Sequence, residues 1–151
     1  MIDRSTNLLG VYRVSDAALE LLGTVTQEAN RTNLRFTPPV AVLRFPLRVD
    51  DTWTQTVTGT GFVNFTPLNN VTVYTTRVDA DGEVWTPAGR FRALRVRTDL
   101  DQSIPLTFFR VSRRTYTFVS ECWGVVARVA SVDNESAVEF RRASEYRRLG
   151  L

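Results

Sequence analysis

The side chains best able to do chemistry are few. Cys122 is the only cysteine, and the chain contains no histidine to activate it. Thiol catalysis needs a base beside the sulfur, so Cys122 next to Trp123 reads as a small buried hydrophobe. Without histidine the commonest general base and the commonest zinc ligand are both missing. Carboxylates remain. Asp50 and Asp51, with Asp99 and Asp101, would suit glycoside hydrolysis if two of them stood at the right separation. All four fall in expected turns, where aspartate is favoured for its own backbone chemistry. Asp79, Asp81 and Glu83 surround Gly82 in the manner of a calcium loop, but the terminal bidentate glutamate is not at the required spacing. An Asp-Gly hairpin turn explains the same residues. The expectation is a non-enzymatic protein with no catalytic residue, no metal and no cofactor.

Aromatic residues offer more. Trp53, Phe62, Tyr74, Trp85, Phe91, Phe108, Tyr116, Phe118 and Trp123 recur on nearly every central strand expected below. If a sheet curved around them, Trp53, Tyr74, Trp85, Phe91, Tyr116, Phe118 and Trp123 would line a concave face and hold an apolar ligand. The alternative is that they are the core, because a sheet without helices must cover its apolar face with another sheet or by closing on itself. The pairs Arg90/Arg92, Arg95/Arg97, Arg113/Arg114, Arg141/Arg142 and Arg147/Arg148 read as solvated faces and turns, or as contacts to a partner bearing carboxylates or phosphates.

The bulk properties set limits. A chain of 151 residues with 43% hydrophobic and 23% charged residues fits a single domain with its own core. All nineteen basic residues are arginine, and sixteen acidic residues are mixed among them, leaving a net charge of +3. A nucleic-acid binder gathers its basic residues on one face, so nucleic acid is not the expected partner. No apolar run is long enough for a spanning helix. The start, Met1-Ile2-Asp3-Arg4-Ser5-Thr6, has neither an apolar signal region nor a lipidation cysteine. Either the protein is cytoplasmic, or an export segment has been removed and a start methionine added. Four Asn-x-Ser/Thr triplets, at Asn30, Asn64, Asn70 and Asn134, are what a threonine-rich chain produces by accident.

Threonine, valine and aromatic residues suit pleated, half-buried surfaces. The organising stretch is Gly82 to Arg97, two strand runs broken by the turn Thr86-Pro87-Ala88-Gly89. After the turn, Phe91 and Ala93 alternate with arginines, then Leu94 and Val96 do so on the other parity. One extra residue there predicts a β-bulge. Strands are expected at Gly10 to Ser15, Leu19 to Glu28, Leu34 to Thr37, Val40 to Phe45, Thr52 to Phe65 and Val71 to Val78. Asn30 to Asn33 and Pro67 to Asn70 read as turn and loop. Pro38-Pro39 lacks backbone donors and marks an edge or loop, and Gly59 and Gly61 a bend or close backbone approach. Asp79 to Gly82 reads as a hairpin turn and Asp99 to Pro105 as a loop. Leu106 to Ser112 and Thr115 to Ser120 form a hairpin around Arg113-Arg114. Val125 to Val132 follows Trp123-Gly124. After a turn at Asp133 to Ser136 come strands at Ala137 to Arg142 and on to Leu149. This is an all-β single domain over residues 1 to 151, with about eight to ten antiparallel strands and little or no helix.

From Pro46 onwards the chain resembles a family of secreted bacterial proteins and lipoproteins of unknown function. That family carries a Pro-Leu-x-Val-Gly-Asp-x-Trp strand entry, present here as Pro46-Leu47-Arg48-Val49-Asp50-Asp51-Thr52-Trp53. It also carries a Val-x-Thr-Pro-Ala-Gly-x-Phe hairpin, here Val84 to Phe91, and a later aromatic strand, Tyr116-Thr117-Phe118, running into Gly124-Val125-Val126-Ala127-Arg128-Val129. The resemblance covers roughly the last two thirds of the chain. It departs at Asp50, where the family has glycine. It implies a strongly curved antiparallel sheet, an open or half barrel similar to lipoprotein carriers. It also implies a periplasmic or extracellular location, and it brings no catalytic residues. The function expected is a non-enzymatic envelope or extracellular domain that binds an apolar small molecule, a lipid or a partner protein. The alternative is a structural subunit that forms a homo-oligomer or a larger surface assembly through edge strands, near Gly10 to Ser15 or Ala137 to Leu149.

Overall fold

A computed structural model describes residues 8–27, 31–104 and 108–150. The described chain is all-β and has no helix. Its nine strands are β1 (Leu8–Val14), β2 (Ala18–Thr26), β3 (Thr32–Arg44), β4 (Thr52–Val63), β5 (Thr66–Thr86), β6 (Gly89–Ser103), β7 (Arg110–Ser120), β8 (Gly124–Ser131) and β9 (Ala143–Arg148). They pair in chain order in one sheet, so each strand neighbours the one before and the one after it. The pairs β1–β2, β2–β3, β3–β4, β7–β8 and β8–β9 are antiparallel. A meander of this kind follows from short connections, because only antiparallel neighbours can be joined by a tight turn.

The packing groups the residues into two compact units. The first takes Met1–Pro46, Gln55–Val73 and Gln102–Arg110; the second takes Leu47–Thr54, Tyr74–Asp101 and Val111–Leu151. In the first unit Val40, Leu43 and Val57 are buried, and so are the polar side chains of Thr32, Asn70 and Thr72. Asn70 Nδ2 donates to Thr72 Oγ1 at 3.2 Å, which satisfies part of that polar interior. Gly61 lies at φ +143°, and a Cβ there would run into the carbonyl of Asn33 on β3. It is thus a close-approach glycine, as expected of it. In the second unit the buried set is larger: Trp53, Val78, Phe91, Ala93, Val96, Tyr116, Val126, Ala127 and Ala130, with Thr76, Ser120 and Ser131.

The turns expected from sequence fared unevenly. Thr86 to Gly89 is a turn: the Ala88 N–H donates to Thr86 Oγ1 (3.1 Å), the Thr86 hydroxyl donates to the Gly89 carbonyl (3.3 Å), and Gly89 has φ +136°. The buried positions of β6 pass from Phe91 and Ala93 to Val96, which is the expected change of parity. Asp133 and Asn134 also turn, with Asn134 at φ +59°.

The expected hairpin turn at Asp79 to Gly82 is corrected: β5 runs straight through it. The acids there are cross-strand partners of arginines, Asp79 with Arg95 and Asp81 with Arg92. Likewise Pro67 to Asn70 belongs to β5, because the chain turns earlier, at Asn64 and Phe65, whose φ values are +48° and +64°. Pro67 is then the second residue of its strand, where a missing donor is tolerated. Asp99 to Ser103 extends β6. Arg113 and Arg114 do not turn but lie within β7, paired with Asp133 and Asp99. Pro38 and Pro39 sit inside β3, where pairing with β2 breaks off between Arg35 and Val40. Ala137 to Arg142 is not a strand; the last strand is β9. The expectations on residues 1–7, Glu28, Asn30 and Pro105 to Thr107 lie outside the described residues.

Candidate functional site

The seven aromatic residues expected to share a binding face all belong to the second unit. Four have little free surface of their own: Trp53, Phe91 and Tyr116 are buried, and Phe118 is half-buried. Tyr74 is half-buried on β5. Phe91 packs with Ala93 and Val126 in a cluster that also takes Val84, Ala88, Phe118 and Leu149. Trp123, in the β7–β8 turn, meets Phe91 edge-on with ring centroids 5.5 Å apart, yet stays 65% exposed. Cys122 beside it is exposed, which corrects its reading as a buried hydrophobe.

Trp85 is on the other side of its strand. Val84 contributes to the Phe91 cluster, so the next residue must point away from it. Trp85 is 63% exposed, its indole N–H donates to Glu83 Oε1 (2.7 Å), and the Arg90 guanidinium lies 3.7 Å from its ring centroid. The two exposed tryptophans therefore do not form one platform.

Tyr116 anchors a separate arrangement. Phe140 stacks on its ring at 5.7 Å, and the Arg95 guanidinium lies 4.7 Å from the ring centroid. Its hydroxyl donates to the Val138 carbonyl at 2.8 Å. Arg95 makes a two-pronged pair with Asp79, at 2.7 and 3.1 Å, and reaches Glu139 at 3.5 Å. Arg114 donates to Asp99, which also accepts from Arg97 at 2.7 Å, and to the Ala137 carbonyl. Segment 132–142, between β8 and β9, is thus clasped to β6 and β7 by side chains those strands present.

The electrostatics match this geometry. Burial, and secondarily the Glu139 carboxylate, pushes the Tyr116 phenol above its usual value; Arg95, Arg97 and Arg114 pull the other way and do not prevail. The Arg95 guanidinium holds its proton more tightly still, chiefly through its hydrogen bonds to Asp79. Sequence reasoning did not single out Phe140. Its alternation with charged neighbours was read as a strand, whereas it serves the clasp.

Of the carboxylates considered for catalysis, Asp50 and Asp51 serve a turn and Asp99 an ion-paired cluster, while Asp101 is an exposed residue of β6. Asp50 sits at φ +73° and accepts from Arg77 at 2.8 Å. Asp51 Oδ2 accepts from the Arg48 N–H at 2.7 Å, and the turn they form is tied to β5 by bonds between Asp50 or Asp51 and Val78. Among the described residues, no three cysteine or acidic side chains gather to hold a metal ion.

The first unit leaves more aromatic surface open. Phe62 lies near the end of β4 and Phe65 in the β4–β5 turn, and Phe108 and Phe109 precede β7; all four are exposed, Phe65 at 67%. Phe65 and Phe109 were not among the residues expected to matter. For Phe65 the signal is position, a large apolar side chain in a turn where polar residues are the rule. No helix among the described residues is long and apolar enough to cross a membrane. No family model, curated protein or solved structure matches the chain.

Proposed function

We propose that this is a non-enzymatic domain of the cell envelope or extracellular space that works by binding a partner protein. The observation that carries this is the exposure of Phe62, Phe65, Phe108 and Phe109 within one compact unit. Exposed aromatic rings are enriched at protein interfaces because they bury large area at low entropic cost. An apolar small molecule held on the aromatic strands is supported less well, since Phe91 and Phe118 pack in one cluster and Tyr116 packs separately against Phe140. The engagement of Asp50, Asp79, Asp81 and Asp99 by arginines supports a role without acid–base chemistry. The envelope location rests on the resemblance. Asp50 supports that resemblance, because the residue standing in the motif's glycine position adopts the left-handed conformation that glycine favours.

A photo-crosslinking side chain placed at Phe65, in cells that produce the protein, tests this. The expected result is one adduct of defined mass, absent when the probe sits at exposed Arg48 and lost when Phe62, Phe108 and Phe109 are all changed to serine. No adduct at Phe65 would sink the reading.

A further inference from the structure

We propose that β1 is a self-association edge, and that its occupant is β1 of a second copy of this chain, paired antiparallel. This goes beyond the binding reading above, which rests on other residues.

β1 and β9 stand at the two ends of the strand order. An end strand carries a row of backbone donors and acceptors that no neighbour satisfies, and proteins guard such rows with charges, prolines or bulges. β9 is guarded twice. Three of its six residues are charged, Glu145, Arg147 and Arg148, and Ser144 is an extra residue that breaks its register against β8. β1, Leu8-Leu9-Gly10-Val11-Tyr12-Arg13-Val14, has no proline. Its register with β2 slips once, between Val11 and Tyr12, but the extra residue, Leu22, belongs to β2, so the β1 backbone runs unbroken. Its one charge is already neutralised within the chain: Arg13 Nε bonds Glu20 Oε2 at 2.8 Å. Val11, Tyr12 and Val14 are nonetheless exposed, Val14 at 74%. Consecutive residues of a strand point to opposite faces, so β1 is exposed on both faces, and no described strand pairs with its outer rim.

The sequence of β1 favours a copy of itself over a different strand. Antiparallel pairing over its full length centres on Val11. Leu8 then lies opposite Val14, Leu9 opposite Arg13, Gly10 opposite Tyr12, and Val11 opposite its own copy. Arginine never meets arginine, and apolar residues meet at both ends. A Cβ on Gly10 would strike its own Tyr12 ring, so that glycine position is already covered by the aromatic side chain. A β1–β1 contact is a closed two-fold one, which stops at two copies. β9 is the poorer match, because covering it would desolvate a charge-rich edge beside Arg141 and Arg142. Seven residues make a small interface, and association in the micromolar range is expected.

Light scattering and sedimentation of the full chain over a concentration series should show conversion from 17.1 kDa to twice that mass. V11K should weaken self-association by about tenfold or more, because it sets lysine against lysine at the two-fold. V11E should do the same, and mixing the two variants should restore a dimer. Circular dichroism verifies that both remain folded. On the unaltered protein, amide exchange in Leu8 to Val14 should slow as concentration rises while β9 is unchanged. A chain that stays monomeric, a dimer indifferent to V11K, or exchange in β1 that ignores concentration would each overturn the proposal. If the protein is monomeric but the Phe65 crosslink persists, the self-association edge is wrong and the binding-domain reading stands. If the dimer is found and the crosslink is not, the edge stands and the aromatic binding reading falls.

Discussion

Tyr116 is where single-residue chemistry has the clearest consequence. Its hydroxyl is a donor to Val138, and its ring is held between Phe140 and Arg95. Ionising it would destroy the donor and place a negative charge in a part-buried site. Burial first, and then the neighbouring Glu139 carboxylate, disfavour the anion and hold its proton above the ordinary value. A group whose folded value is raised contributes stability that is fully present below the unfolded value and is lost as pH climbs through the folded one. Urea unfolding of the native protein should therefore weaken above pH 10, the ordinary phenol value. Tyr116→Phe should cost about 1 kcal/mol at neutral pH, the worth of one hydrogen bond, and should flatten the alkaline decline. An unchanged alkaline slope in the variant would assign the decline to other groups.

At the level of the strands, charge pairing across β5 and β6 overrides local turn chemistry. Asp81-Gly82 is a strong hairpin signal by itself. Here Asp81 and Asp79 look across at Arg92 and Arg95, and Gly82 is an ordinary strand glycine with open space where its Cβ would be. Gly82→Thr should therefore stabilise the protein by about 0.5 to 1 kcal/mol, because glycine wastes entropy in a strand interior. A hairpin turn at that place would give the opposite sign, so thermal unfolding of the one variant decides between the two.

The same competition explains what was legible in the sequence. Alternation of apolar and polar residues made the all-β class, the Thr86 to Gly89 turn and the change of parity in β6 readable, because these depend on neighbours in the chain. Arg113-Arg114 was misread as a turn because its reason for staying extended lies in Asp133 and Asp99, far along the sequence. The candidate site was less legible for a related cause. Aromatic residues announce burial but not with whom, and only the fold separates Phe91 with Trp123 from Tyr116 with Phe140. Phe65 needed the turn at Asn64 to be seen first.

For the molecule as a whole, the question is whether two compact units unfold as one. Their membership interleaves along the chain. β5 passes from the first unit to the second between Val73 and Tyr74, and β4, β6 and β7 also contribute residues to both. Melting one unit alone would break β5 in mid-length and fray an end of β4, β6 and β7, leaving backbone groups without partners. A single cooperative transition follows. Phe91→Ala in the second unit should cost about 3 to 5 kcal/mol, and Val57→Ala in the first about 1.5 to 3 kcal/mol. All three tryptophans, Trp53, Trp85 and Trp123, lie in the second unit, so their fluorescence reports on that unit, while far-ultraviolet circular dichroism reports on both. If the strands couple the units, Val57→Ala shifts the fluorescence transition as far as the dichroism transition, although no tryptophan shares its unit. If fluorescence holds still while part of the dichroism melts early, the units are independent, and the continuity of β4, β5 and β6 does not transmit stability.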